Sequence, residues 1–355
     1  MYSSPVLMPL SLIYGAVTRA RAALYEAGAL TTHNVGVPVI SVGNIAAGGT
    51  GKTPVVAWLA RVLAPERRRV CVLTRGYGRA DPKSRVVVSD GESLLADARE
   101  GGDEPRLLAE MLLGVAAVVS DADRVAAARW AIQNLDSNAF ILDDGFQHLR
   151  IARNLNIVTL DGIDPWGGRK LLPRGFLRES PRSLARADCI IITRAEQTPN
   201  LDALRAEARR LSGGRASVLS CRTRTIGVRP LSSSAFDETP AGKPPPQPVI
   251  AFCALGNPRA FFSHIQRDGY QATHTRAFPD HHFYTQSDVD SLTREAAKHG
   301  AQALLTTAKD AVKLRSLRFD LPCYVLDVDL EFEDEREFLE IVRGSISASQ
   351  TSVEK

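Results

Sequence analysis

Residues 35–63 read VGVPVISVGNIAAGGTGKTPVVAWLARVL, which is a β-rich apolar run, a glycine-rich turn and an apolar helical run. Glycines at three of the turn positions can adopt backbone angles that point several N–H groups at one anion, and the following helix adds the positive end of its dipole. This arrangement predicts a phosphate-binding loop. Its predicted nucleotide-binding residues are Ala46, Ala47, Gly48, Gly49, Thr50, Gly51, Lys52 and Thr53.

Two side chains of this loop predict a nucleoside triphosphate with Mg²⁺. We expect the Lys52 ammonium to reach the β- and γ-phosphates and the Thr53 hydroxyl to face Mg²⁺. The usual pattern is G-x-x-x-x-G-K-[ST], and Ala46 stands at its first glycine. Alanine fits there if its backbone φ is negative. The alternative interpretation is an ordinary strand-to-helix turn with a solvated lysine.

Strands alternate with helices along the chain. After the strand at 35–42 and the helix at 55–63, predicted strands cover 70–74, 86–89, 115–120, 140–142, 157–160 and 189–193, and predicted helices cover 104–113, 124–134 and 201–211. A second alternation has strands at 249–254, 303–306 and 323–328 and helices at 258–268 and 287–299. The pattern predicts an α/β fold, a P-loop NTPase-like doubly wound and mainly parallel sheet with a second, smaller α/β domain.

Composition changes along the chain predict the domain limits. The proline-rich stretch TPAGKPPPQP at 239–248 is typical of a stiff surface connector. We therefore divide the chain into an N-terminal amphipathic helix, a P-loop core, a linker or hinge, a smaller α/β domain, and a C-terminal helix whose end after Gly344 frays. The corresponding residues are 1–28, 29–225, 226–248, 249–330 and 331–355.

Bulk composition excludes several classes of protein. The 355 residues carry a net charge of only +4, which gives no reason to expect nucleic acid as a partner. The cysteines stand singly, without Cys-x-x-Cys pairs, so we expect neither a zinc site nor disulfides. This cysteine pattern fits a protein of the reducing cytosol. No stretch reaches the roughly 18 apolar residues of a membrane span. No protein partner is evident from the sequence.

A pair of carboxylates follows an apolar run in FILDDGFQH, residues 140–148. Doubly wound sheets bind ligands at the carboxyl ends of their strands, and a P-loop site needs an acid there for Mg²⁺. Either Asp143 or Asp144 can fill that role. An Asp pair at a strand end is also typical of a turn or helix cap, so the metal interpretation depends on the glycine-rich loop upstream.

The nucleotide is expected to be ATP. GTPases recognise guanine with Asn-Lys-x-Asp after a late strand, whereas residues 193–196 here read TRAE. Partitioning ATPases place an extra lysine where this chain has Ala47. These differences favour a kinase. The alternative is a nucleotide-hydrolysing switch or metal-centre chaperone, although a chaperone would be expected to carry a Cys or His cluster.

A kinase that phosphorylates a hydroxyl benefits from a base that orients the hydroxyl and takes its proton. Asp103 begins a predicted helix after two glycines, and His281 lies in the loop sequence FPDHHF at 278–283. Each has an ordinary interpretation, as a helix cap and as a surface histidine. An Asp–His pair formed across a cleft would raise the basicity of the imidazole.

Six motifs in series resemble the tetraacyldisaccharide 4′-kinase family, the lipid A kinases of Gram-negative bacteria. They are Val42 to Pro54, LTRGYG at 73–78, GDEP at 102–105, LDDGFQH at 142–148, LLPRG with LRE at 171–179, and FPDHH at 278–282. They run in the family's order from about residue 10 to residue 330, which is nearly the whole chain. The family commonly lacks the first loop glycine, so Ala46 is not a departure from it.

The resemblance implies transfer of the ATP γ-phosphate to the 4′-hydroxyl of an acylated glucosamine disaccharide 1-phosphate, with Mg²⁺. It implies that Asp103 and His281 form a catalytic dyad in which Asp103 accepts the proton. Catalytic roles are also implied for Lys52, Arg75 and Arg178. The implied metal and water shell is Thr53, Asp143, Asp144, Gln147 and Glu179.

An acylated substrate gives the N-terminal helix a possible second role. Leu10, Ile13, Tyr14 and Val17 recur at helical spacing, and Arg19 and Arg21 follow them. Such helices commonly pack on their own domain. A helix of this composition can also lie in a membrane interface and attract anionic lipid. The expected location is therefore peripheral, on the cytoplasmic face of the bacterial inner membrane.

Overall fold

The computed structural model describes residues 7–66, 68–232 and 245–350, and its strands form one twelve-stranded sheet. In chain order the strands are β1 Val39–Gly43, β2 Val70–Thr74, β3 Val86–Ser89, β4 Ala116–Ser120, β5 Ala139–Asp143, β6 Leu155–Asp161, β7 Cys189–Thr193, β8 Ser217–Pro230, β9 Val249–Cys253, β10 Ala272–Ala277, β11 Ala303–Thr307 and β12 Cys323–Phe332. The α-helices are α1 Met8–Glu26, α2 Lys52–Leu63, α3 Ala98–Gly101, α4 Asp103–Met111, α5 Arg124–Asn134, α6 Leu201–Leu211, α7 Pro258–Arg267, α8 Gln286–His299, α9 Ala308–Leu314 and α10 Glu335–Gln350.

The strand order is β10-β9-β11-β12-β8-β7-β6-β1-β5-β2-β4-β3. Among the described strands, neighbours run parallel except at β3–β4 and β8–β12, which are antiparallel. This confirms the predicted α/β class with a mainly parallel sheet. β1 lies between β5 and β6, so the loop after β1 and the acids after β5 emerge side by side at the same edge.

The longest strand, β8, joins the two halves of the sheet. Its first residues pair in parallel with β7, and the remainder pairs antiparallel with β12. The predicted core limit at residue 225 and the start of the predicted linker at 226 both fall inside this strand. Of that linker, 233–244 lie outside the described residues. The division into domains stays a prediction, and β9 to β12 continue the sheet of the first half.

The C-terminal helix α10 packs on the first half of the chain. Its Phe338 ring stacks on Trp58 of α2 with ring centroids 4.7 Å apart, and Phe332 of β12 lies 4.9 Å from the same ring. Ile346 is buried in the same cluster. Helix α10 continues past Gly344 to Gln350, so the chain does not leave the helix where the fraying was expected to begin, and residues 351–355 lie outside the described residues.

Helix α1 lies against the loop at 166–178. The Ser11 hydroxyl donates to the Leu171 carbonyl at 2.8 Å, and a Cβ added to Gly15 would lie 2.5 Å from the Leu171 side chain. Gly28 follows the helix with φ +72°, as expected of a residue that ends it. The contact side of α1 is thus small and polar, which leaves most of its large apolar side chains on the outside.

Candidate active site

The glycine-rich loop between β1 and α2 is held by buried hydroxyls. The Asn44 amide donates to Thr50 Oγ1 at 2.9 Å, and the Thr193 hydroxyl donates to the Thr50 carbonyl at 2.9 Å. Gly48 and Gly51 adopt φ +117° and +74°, a region that favours glycine. Ala46 is not among the residues with positive φ, so alanine fits the first position of the pattern without strain.

Two cations of the site converge on Asp144. Lys52 Nζ lies 3.3 Å from Asp144 Oδ1, and Arg178 Nη1 lies 2.6 Å from Asp144 Oδ2. Burial acts to raise the pKa of Asp144, but Lys52 and Arg178 outweigh it and hold the pKa below its usual range. The structure therefore brings three of the predicted site residues together in one ion-pair network beside the loop.

Asp143 has a different environment although it is adjacent in sequence. The Thr74 hydroxyl donates to its Oδ2 at 3.2 Å, while its buried Oδ1 has no hydrogen-bond partner among the described residues. Burial, together with the charges of Glu104 and Asp144, raises the pKa of Asp143 to about 7. A buried carboxylate oxygen without a partner is costly, and a cation would satisfy it.

Gln147 and Glu179 contact each other. The Gln147 amide donates to the Asn44 carbonyl at 2.9 Å and to Glu179 Oε1 at 3.0 Å. Glu179 also pairs with Arg186 at 2.5 Å and does not line the main cleft, whereas Gln147 does. Their predicted roles in the metal and water shell stay predictions.

Asp103 and His281, which are 178 residues apart in sequence, form a hydrogen-bonded pair. His281 Nδ1 lies 2.9 Å from Asp103 Oδ2 and 3.0 Å from Oδ1. The hydrogen bond to Asp103 raises the pKa of His281 above its ordinary value. Burial opposes ionisation of Asp103, but His281 and two nearby lysines lower the pKa of this carboxyl to about 2. The pair is therefore a coupled acid–base group.

His281 of the pair and the glycine-rich loop line one cleft of about 1500 Å³, and Asp103 is buried next to His281. Gly256 lies between the glycine-rich loop and Asp280, the residue before His281. A Cβ added to Gly256 would lie 3.2 Å from the Gly49 nitrogen and 3.0 Å from Asp280 Oδ2. Arg75 lines the same cleft, and its side chain is exposed. Four of the predicted catalytic residues therefore line one cavity, namely Lys52, Arg75, Arg178 and His281, and the fifth, Asp103, is buried against His281.

Three further residues of the cleft and one buried residue next to Asp103 were not predicted as site residues. The Tyr77 ring lies 5.2 Å from the His281 ring, and Lys309 Nζ lies 2.9 Å from Glu104 and 3.4 Å from Asp280. Arg124 is buried near Asp143, and burial lowers its pKa to about 10. Lys313 lies behind Asp103. Tyr77, Arg124 and Lys309 follow the carboxyl ends of strands, a signal that could have identified them.

Known proteins match this chain over nearly its whole length. Residues 3–347 match the family model described as tetraacyldisaccharide-1-P 4′-kinase (LpxK). The chain belongs to this family. A tetraacyldisaccharide 4′-kinase of Desulfotalea psychrophila is 37% identical over 316 residues, which cover 89% of each chain. Another, of Anaeromyxobacter dehalogenans, is 42% identical over 304 residues that cover 85% of this chain and 79% of the relative.

A solved structure of the family has the same fold. It is an "apo" form of LpxK from Aquifex aeolicus in complex with ATP, 31% identical, with a TM-score of 0.76 over 96% of this chain and 98% of that one. Membership of the tetraacyldisaccharide 4′-kinase family confirms the predicted enzyme class, a kinase. The alternative of a hydrolysing switch or metal-centre chaperone is not favoured.

Proposed function

We propose that the chain transfers the γ-phosphate of ATP to the 4′-hydroxyl of an acylated glucosamine disaccharide 1-phosphate. The observation that carries this proposal is the Asp103–His281 pair, whose imidazole lines the same cleft as the phosphate-binding loop. A hydrolysing switch needs only a positioned water, whereas a paired base at the opposite wall suits a sugar hydroxyl. The family description and its relatives' names agree with this substrate.

The loop would hold the triphosphate. Backbone N–H groups of Gly48 to Gly51 would face its oxygens, and Lys52 would move from Asp144 toward the β- and γ-phosphates. Arg178 and Arg75 would offset the charge that develops on the transferred group. The 3.3 Å contact between Lys52 and Asp144 shows that the ammonium already lies in the cleft.

The residues present fit Mg²⁺. The buried Oδ1 of Asp143 has no hydrogen-bond partner among the described residues, and Thr53, in the first turn of α2, lines the same cleft. The described residues contain no group of three or more His, Cys, Asp or Glu suited to a metal ion, so phosphate oxygens would complete the shell. Bound there, Mg²⁺ would neutralise charge on the β- and γ-oxygens.

Proton removal would fall to the Asp103–His281 pair. Asp103 stays the acceptor that we propose, and His281 would hold it and share the proton through Nδ1. His281, Lys309 and Lys313 together would keep Asp103 ionised and so able to accept a proton. The sugar oxygen would then attack the γ-phosphorus in line with the leaving oxygen of ADP.

A direct assay tests the proposed reaction. We expect the purified chain with ATP, Mg²⁺ and detergent-dispersed disaccharide 1-phosphate to yield a lipid heavier by one phosphate group. The matched control is the same lipid with its 4′-position already phosphorylated, which should be inert. Release of inorganic phosphate alone, with no phosphorylated lipid by mass spectrometry, would reject the kinase proposal.

We further propose that α1 attaches the enzyme to the cytoplasmic face of the inner membrane. Leu10, Ile13 and Val17 expose 54%, 60% and 60% of their surface, and Tyr14 and Arg21 of the same helix line the cleft. None of the described helices is long and apolar enough to cross a bilayer. An apolar face of this kind suits a helix that lies in the interface, beside the entrance for an acylated substrate.

Charge on this face should weaken membrane binding. Ile13→Glu with Val17→Glu is expected to reduce partitioning to vesicles that contain anionic lipid by roughly tenfold or more, because two apolar side chains that would enter the membrane interface are lost. Affinity for ATP should not change, since neither side chain faces the loop. Leu95→Glu is the matched control, at an exposed leucine outside α1. Unchanged co-sedimentation with vesicles would contradict the proposal.

A further inference from the structure

A row of cations on α9 faces a row of acids on α4. Lys309 Nζ lies 2.9 Å from Glu104, and the Arg315 guanidinium, just after α9, contacts both oxygens of Glu110 at 2.6 and 2.9 Å. Between them, Lys313 Nζ lies 3.5 Å from Asp103 Oδ2. The partners in these contacts are about 205 residues apart in sequence, so this interface joins the two halves at the site.

Lys313 is the member whose burial is hardest to explain by packing. Its side chain is 1% exposed, and its Nζ has no hydrogen-bond partner among the described residues. A buried ammonium without hydrogen bonds is unfavourable, and an aliphatic side chain could fill the same space. The buried ammonium is stabilised by the two carboxylates that face it, Asp103 and Asp310, and by the Tyr284 ring, whose centroid lies 5.6 Å from Nζ.

Asp103 is the acid that this charge can serve. The second carboxylate near Lys313 is Asp310, at 3.7 Å. Asp310 already accepts hydrogen bonds from the Ala254 nitrogen, the Tyr284 hydroxyl and the Thr307 hydroxyl. Asp103 accepts from the nitrogen of Glu104 and from His281, and its Oδ2 faces Lys313.

We propose that Lys313 is a positioning residue that fixes the Asp103 carboxylate, in its ionised form, against His281. The inference rests on the proposed function, in which this pair takes the proton of the substrate hydroxyl. Lys313 acts from the buried side and contacts no substrate. Lys309 approaches Asp103 from the cleft at 3.9 Å and also lowers the pKa of this carboxyl, but its ammonium is shared with Glu104 and Asp280 on the cleft side.

Removing the charge should change the pH profile in a defined direction. The charged groups facing Asp103 are His281, Lys309 and Lys313, and Glu104 and Asp280 partly offset Lys309. A nearby cation disfavours protonation of the pair. Without Lys313 the pair would bind a proton more readily. The acid limb of kcat against pH would therefore move upward, by roughly one pH unit.

The test uses the full chain with Lys313→Met, which keeps the length of the side chain. We expect kcat to fall roughly tenfold, the acid limb to move to higher pH, and the KM for ATP to stay unchanged. Lys313→Arg should restore the wild-type pH limb because it restores the charge. Wild-type kcat and pH dependence in Lys313→Met would overturn the inference.

The control is Arg315→Met, which removes a cation from the same interface but faces Glu110 instead of Asp103. It should leave the acid limb in place. Equal shifts in both variants would mean that the interface acts only through stability, and would also overturn the inference. If Lys313→Met does not fold, Asp103→Asn with Lys313→Met removes both buried charges. Its kcat should equal that of Asp103→Asn alone, and any further loss refutes a role through Asp103.

Failure of the inference and failure of the proposed function have different signatures. Full turnover by Asp103→Asn would refute the proposed base. Severe loss in Asp103→Asn together with normal turnover and pH dependence in Lys313→Met would leave that base intact and refute only the role of Lys313.

Discussion

Lys52→Ala is expected to lower kcat by roughly 10²- to 10³-fold, because it removes a cation that offsets charge on the transferred phosphoryl group. Lys52 begins α2 directly after Gly51, and its ammonium lies among the groups that line the cleft. In the variant, Asp144 still contacts Arg178 at 2.6 Å, so the local fold should persist. Measured by steady-state kinetics at saturating ATP, the loss should appear mainly in kcat.

Arg129→Ala is the matched control for this experiment. Arg129 is an exposed cation on α5, so its loss changes net charge equally without touching the loop. It should turn over at the wild-type rate. Turnover by Lys52→Ala within a few fold of wild type would show that the glycine-rich loop does not bind the reacting phosphates.

Asp103→Asn and His281→Ala should each lower kcat by roughly 10²- to 10⁴-fold, the range for loss of a general base. Combining them should cost little more than either alone, because both belong to one hydrogen-bonded pair. Asparagine is chosen over alanine since it keeps the volume beside the buried Lys313. The measurement is a double-mutant cycle on kcat, with thermal unfolding to confirm that each variant is folded.

His282→Gln controls for the loss of an imidazole from the same loop. Its Nε2 lies 3.1 Å from Asp288, and its ring stacks on Phe278, so it belongs to the local packing of the loop. This variant should keep a near-normal rate. Additive losses in Asp103→Asn with His281→Ala would mean that the two residues act independently, which contradicts a shared base.

Local sequence patterns predicted most of the fold but not its longest strand. Apolar runs bounded by glycine or polar residues identified β2, β3 and β7 with the observed limits. β8 and β10 were missed because arginine, threonine and histidine alternate along them, and their exposure alternates as well. Such strands gain stability from their neighbours in the sheet, so their own composition gives a weak signal.

Some parts of the site could be predicted from local sequence and others could not. The loop from Ala46 to Thr53 and the acids after β5 were predicted because each set is contiguous and follows a strand. The contact between Asp103 and His281 could be hypothesised but not established, since it depends on the packing of α4 against the second half. Lys313 gave no signal, because a lysine in a short helix is ordinarily solvated.

The two parts of the cleft depend on different lengths of the chain. The loop is shaped by the hydrogen bond between Asn44 and Thr50 and by the Thr193 hydroxyl, which lies 143 residues from the carbonyl that it binds. The acid–base pair needs chain segments 178 residues apart to meet. A chain cut shortly before residue 281 therefore loses the imidazole of this pair but keeps every residue of these two loop contacts.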